Sequence, residues 1–148
     1  MLFRSANEIR SFVDSEGGNG RLKVERALLA QALEDAQAIV GHMIEDLMTA
    51  DASAEGGDVR NIYKVGLNTS RLLMVLGDVV CAWLMLRGAQ VALDKLAGDV
   101  SAKDQAFYEG KVAAARFFAA TVLPELTARR AVAEATDNAL MDLPEAAF

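Results

Sequence analysis

The sequence predicts an all-α protein, an antiparallel up-and-down helical bundle of three to four long helices with a short N-terminal helix, and three observations carry that prediction. Apolar residues recur at alternating intervals of three and four, the repeat of one helix face. No segment shows the strict two-residue alternation of a half-buried strand. The glycine-bearing segments "SEGGNG", "TADASAEGGD" and "AGDVS" punctuate the periodic runs where a bundle has to reverse its chain.

Ser5 and Glu8 in "SANEIRSFV" have capping-box spacing and predict a short helix running to about Asp14. Gly17, Gly18 and Gly20 follow as a flexible joint, so residues 1–20 form a short helix and hinge. Over 21–50, Leu22, Leu29, Leu33, Ala36, Val40, Met43 and Leu47 trace the seam of the first long helix. Thr49 to Asp58 is small and polar and forms the turn. The second helix is expected over 59–97, about 58 Å if unbroken. Its polar residues Arg60, Asn61, Lys64, Asn68, Arg71 and Asp78 share one side, whereas Arg87, Gln90 and Asp94 fall on another. Either the helix is interrupted near Gly66 or Gly77, where glycine costs ~1 kcal/mol relative to alanine, or its halves pack against different neighbours. Gly98 closes it, and Ser101 with Asp104 opens the third, expected over 102–140. Pro124 lacks an amide hydrogen and must kink or divide that helix, and "DLPEAAF" ends the chain.

Composition narrows the function. A length of 148 residues fits one domain, 1–148, able to bury roughly 70% of its unfolded surface. With 53% hydrophobic residues and only two prolines, the chain can offset its ordering entropy and should fold. A net charge of -6 with no basic patch excludes nucleic acid as a partner. The single cysteine, Cys81, cannot form an internal disulfide, so a cytoplasmic setting is expected. The most apolar stretch, Leu72 to Leu93, is broken by Asp78 and Arg87, which predicts a buried helix of a soluble domain and no membrane partner.

Catalytic and metal-ligating candidates fare poorly. His42 lies opposite the apolar seam and reads as solvated; His42 with Glu45 reverses the Glu-x-x-His order of di-iron bundles and lacks their further carboxylates. Cys81, among Val79, Val80, Ala82 and Trp83, reads as a buried structural thiol. Glu34, Asp35, Glu45 and Asp46 read as solvated charge, and neither glycine-rich segment follows a strand as a phosphate loop requires. No catalytic, cofactor-binding or metal-binding residue is assigned.

What remains is "FYEGKVAAARFFAATVLPEL", where Tyr108, Val112, Ala115, Ala119, Val122 and Leu126 form one stripe, Phe107 and Phe118 widen it, and Phe117 points elsewhere. Such a helix must touch more than one neighbour. Phe107, Tyr108, Phe117, Phe118 and Pro124, together with Trp83, are therefore candidate packing or docking residues. Lys111 and Arg116 join them, either paired internally, for instance with Asp78, or meeting an external anion.

In order, "LGDVVCAWLMLRGAQVAL", "FYEGKVAAARFFAATVLPEL" and "ALMDLPEAAF" resemble the C-terminal helical domain of a group of bacterial acyl-CoA dehydrogenases that includes the methylmercaptopropionyl-CoA dehydrogenase-like enzymes. The resemblance is best from Leu72 to Phe148; residues 2–50 share only helical character, and "NTSRLLMVL" departs from the group's pattern. It implies a larger flavoprotein that binds FAD and oxidises an acyl-CoA thioester at its α and β carbons, with the glutamate base and the flavin site outside this chain. The chain is then an excised, non-catalytic C-terminal portion, packing on the catalytic domain of the same protein or on a second subunit of a homo-oligomer. Two alternatives are a free-standing homo-oligomeric helical adaptor and a bundle whose Lys111 and Arg116 grip an anion such as a CoA phosphate.

Overall fold

The computed structural model describes residues 2–15, 20–53 and 55–147, and among them every regular element is helical. The helices are α1 (Leu2–Asp14), α2 (Lys23–Met48), α3 (Asn61–Leu96), α4 (Ala102–Thr121) and α5 (Glu125–Glu134), followed by a 3-10 turn at Glu145–Ala147. Helix α1 begins at Leu2, three residues before the start expected at Ser5. Its Ile9 is buried, and Arg10 Nη2 donates to Gln37 Oε1 of α2 at 2.9 Å. Gly17 and Gly18 of the expected joint lie outside the described residues; Gly20 takes a φ of 73°, open to glycine without strain.

Leu22, just before α2, and Leu29, Leu33 and Ala36 within it are buried as their spacing predicts. Leu47 is not: the last turns of α2 face α3 through polar contacts, Lys64 Nζ to Asp46 Oδ1 at 3.6 Å and Asn61 Nδ2 to Thr49 Oγ1 at 3.1 Å, leaving Leu47 exposed. At the other end Arg21 donates to the Leu93 carbonyl and Arg26 to Gln90 Oε1. The start of α2 thus meets the end of α3, and the two helices run in opposite senses.

Helix α3 is continuous through Gly66 and Gly77, about 54 Å for its 36 residues. Its shifting polar stripe comes from packing against α2 and α4 at once. Val75, Val79, Ala82, Trp83, Leu86, Ala89 and Leu93 form its inner side. Ser101 caps α4 as predicted, its hydroxyl accepting from the Asp104 amide at 3.2 Å and donating to Asp104 Oδ2 at 2.8 Å. Pro124 divides the chain rather than kinking it: α4 stops at Thr121, α5 starts at Glu125, and buried Leu123 and Leu126 anchor the break. The helix expected to reach residue 140 stops at Glu134, because Thr136 bonds back to the Val132 carbonyl and Asp137 accepts from the Ala139 amide, a turn that competes with further helix.

Candidate docking surface

The polar contacts between helices account for most of the candidate charges. Asp78 Oδ2 accepts from Arg129 Nη1 of α5 at 2.7 Å, so its partner is neither Lys111 nor Arg116. Arg116 Nε pairs with Glu25 Oε1 at 3.2 Å and its Nη2 donates to the Arg21 carbonyl at 2.8 Å, fastening α4 to the start of α2. Lys111 is exposed, its Nζ 5.3 Å from the Phe107 ring centre, and Phe107 meets Tyr108 edge to face at 5.6 Å. The two cations do not converge on one point. Tyr108 and Phe118 pack on the core, whereas Phe107 and Phe117 are 58% and 71% exposed, so the aromatic stretch divides between an inner and an outer side. Trp83 is buried with the Arg87 guanidinium 5.1 Å from its ring, and Pro124 is exposed at the helix break.

Four polar residues prove to be internal. Asp35, read as solvated, is 1% exposed and accepts from Thr127 Oγ1 at 2.7 Å, from Arg130 Nη1 at 3.4 Å and from Gln31 Nε2 at 3.4 Å. Asp46, also read as solvated, is buried between Lys64 and His42 Nε2, each 3.6 Å away, and His42 is therefore half-buried rather than free in solvent. Asn68 is fully buried, donating to the Lys64 and Ala133 carbonyls at 3.2 and 3.4 Å and accepting from Arg71. Arg26 donates to the Ser15 carbonyl and lies 4.9 Å from the Phe12 ring centre, joining α1 to α2. A signal for the two aspartates was present: Ala32, Asp35, Ile39 and Asp46 fall on one stripe at helical spacing, and Ala32 and Ile39 are fully buried.

At the α2–α3 turn, Arg60 donates to Asp58 Oδ2 at 2.6 Å and to Asp142 Oδ1 at 3.1 Å, tying the C-terminal segment to this end. The Arg60 hydrogen bond holds the Asp58 carboxyl below the usual carboxylate range, and the same bond raises Arg60 further above its own. Arg130 is likewise raised, first by its hydrogen bond to Glu134 and then by that to Asp35. Among the described residues no group of three or more His, Cys, Asp or Glu could hold a metal ion.

The outer side of α3 is a long apolar surface. Ile62, Leu67, Leu73, Met74, Leu84 and Val91 are each at least two-fifths exposed. Cys81 is exposed on the same face, which corrects its reading as a buried thiol: its apolar neighbours in sequence point to other sides of the helix. Gly66, Gly77 and Gly88 run along the middle of this face, and a β-carbon on any of them would meet nothing within 4 Å. By length and composition α3 is also the one helix among the described residues apolar enough to cross a membrane, although its inner side packs on α2 and α4.

Comparison with known proteins places these surfaces in context. Residues 5–144 match the family described as acetyl-CoA dehydrogenase C-terminal like. The chain is 48% identical over 147 residues to the broad-specificity linear acyl-CoA dehydrogenase FadE5 of Mycobacterium tuberculosis, covering 99% of this chain and 23% of that protein. Two butyryl-CoA dehydrogenases of Syntrophomonas wolfei are 33% identical over 99 residues and 36% identical over 84, covering 66% and 55% of this chain and 16% and 14% of their own lengths. None of these three is described as a methylmercaptopropionyl-CoA enzyme. The chain spans a quarter or less of the relatives it matches.

Proposed function

The chain belongs to the acetyl-CoA dehydrogenase C-terminal-like family, and from that premise we propose that it is the non-catalytic accessory domain of a larger FAD-dependent acyl-CoA dehydrogenase. It packs on the catalytic portion or on the second subunit of a homo-oligomer, and the parent oxidises an acyl-CoA thioester at its α and β carbons. The observation that carries the reading is the match over nearly the whole chain to a segment described as C-terminal, in relatives about four times its length. The internal chemistry supports it. Asp35, Asp78 and Arg116 are engaged in contacts between helices, which suits a domain whose work is done at its surface. FAD is the cofactor that the family reading gives to the parent enzyme.

The test is association. The chain and the catalytic portion, made separately, should co-purify, the first colourless and helical and the second carrying the flavin absorbance. Absence of association at concentrations where both are folded overturns the reading.

A further inference from the structure

We propose that the outward face of α3 is the seat of the catalytic portion of the same polypeptide, an assignment that rests on the accessory-domain reading. The face runs from Ile62 to Val91, about 44 Å of helix, and the charges at its edges, Arg87 and Asp78, are drawn aside, the first over the Trp83 ring and the second to Arg129. Exposed apolar surfaces of this extent are uncommon on proteins that stand alone and mark places where another surface rests.

The glycines sharpen the argument. Gly66, Gly77 and Gly88 are eleven residues apart and stay within about 40° of one another on the helix. Each weakens an exposed helix interior by ~1 kcal/mol relative to alanine. Nothing among the described residues needs them, because a β-carbon at each would meet none of their atoms within 4 Å. A second backbone lying close along α3 does need them, since side chains there would hold it away.

The occupant follows from how much polypeptide surrounds this region and where it connects. In the 48% identical relative, 77% of the protein lies outside the matched region. Helix α1 runs back along α2, its end at Arg26 and its middle at Gln37. Its N-terminal end therefore points toward the end of the bundle where Ile62 begins the α3 face. A preceding domain tethered there meets α3 at high effective concentration, an advantage no free partner has.

Cys81 is a reporter built into the face, the only cysteine of the chain. In the full-length flavoenzyme, its alkylation by N-ethylmaleimide is followed by peptide mass spectrometry and compared with a thiol introduced by Glu34→Cys on the exposed side of α2. Cys81 should react at least tenfold more slowly, and Leu84→Asp should abolish most of that difference while leaving the helical circular dichroism unchanged. Equal rates overturn the proposal. Protection lost on dilution, or gained only on adding phosphatidylglycerol vesicles, also overturns it, in favour of a second copy or a membrane respectively. If Cys81 reacts freely yet the separately made portions still co-purify, the face is wrong and the accessory role stands; if they do not associate either, both fall.

Discussion

Replacing Thr127 by valine should strand a buried carboxylate. Thr127 Oγ1 is 2.7 Å from Asp35 Oδ2, and Asp35 is 1% exposed, so a methyl group in place of the hydroxyl leaves that oxygen without either a partner or access to water. A hydrogen bond to a charged group is worth ~1.5–3 kcal/mol. Arg130 cannot make good the loss: it is 3.4 Å from the other oxygen, is 39% exposed and shares its guanidinium with Glu134, so solvent screens its pull on the carboxylate. Thr127→Val should therefore destabilise the chain by about 2 kcal/mol, which for this size lowers the Tm by roughly 4–8 °C. Urea unfolding supplies the free energy and differential scanning calorimetry the Tm. In an Asp35→Ala background the same substitution should do little, because the stranded group is gone. A Thr127→Val variant within about 0.5 kcal/mol of the parent, with the slope against urea unchanged, refutes the view that this carboxylate depends on Thr127.

Asn68→Ala removes the side chain that joins α3 to the Ala133 carbonyl, and should raise amide exchange across the last turn of α5 while costing about 1–3 kcal/mol in chemical denaturation. Arg116→Ala breaks the pair with Glu25, but the side chain is 46% exposed, so a loss of ~1 kcal/mol or less is expected by urea unfolding; a larger loss would show that Arg116 does more than fasten α4 to α2. Gly77→Ala should stabilise this chain by up to ~1 kcal/mol, measured as a raised urea midpoint, because the new methyl meets no atom. Acid should act through Asp58: its folded value lies below the ordinary 3.8, so its stabilising effect is present above that value and fades as the pH falls through the lower one. Arg60 stays charged throughout, and the Tm curves of the parent and Asp58→Asn should converge at the acid end.

How much of this was legible depended on whether the deciding partner was near in sequence. The Ser101–Asp104 cap, the break at Pro124 and the helical seam from Leu22 to Ala36 are local, and their spacing was enough. The burial of Asp35 is decided by Thr127 and Arg130, and the partner of Asp78 is Arg129; each arrives from α5, far along the chain, and no local pattern names it. The seam chosen for α2 was also one stripe too narrow, missing Ile39, and that error carried Asp35 and Asp46 to the solvent side. For α3 the difficulty was different. A helix apolar around most of its circumference has no unique inner face in its own sequence, so Trp83 and Cys81, two residues apart, could not be told apart as inner and outer.

That same property explains why α3 has the composition of a membrane helix within a helical domain. Its inner side needs Val75, Val79 and Leu86 to bind α2 and α4, and its outer side leaves Leu73, Met74 and Leu84 exposed. Two apolar faces on one rod sum to a high hydropathy without either face being unusual for a core. The alternative, that α3 crosses a membrane, requires its inner contacts to be given up, and those contacts hold the buried Asn68 amide and the Asp78–Arg129 pair. Extracting that amide and that ion pair into hydrocarbon would leave groups that cost several kcal/mol each, whereas covering the outer face with a second protein surface disturbs neither. The polar residues that fasten α3 inward thus argue against its insertion across a bilayer.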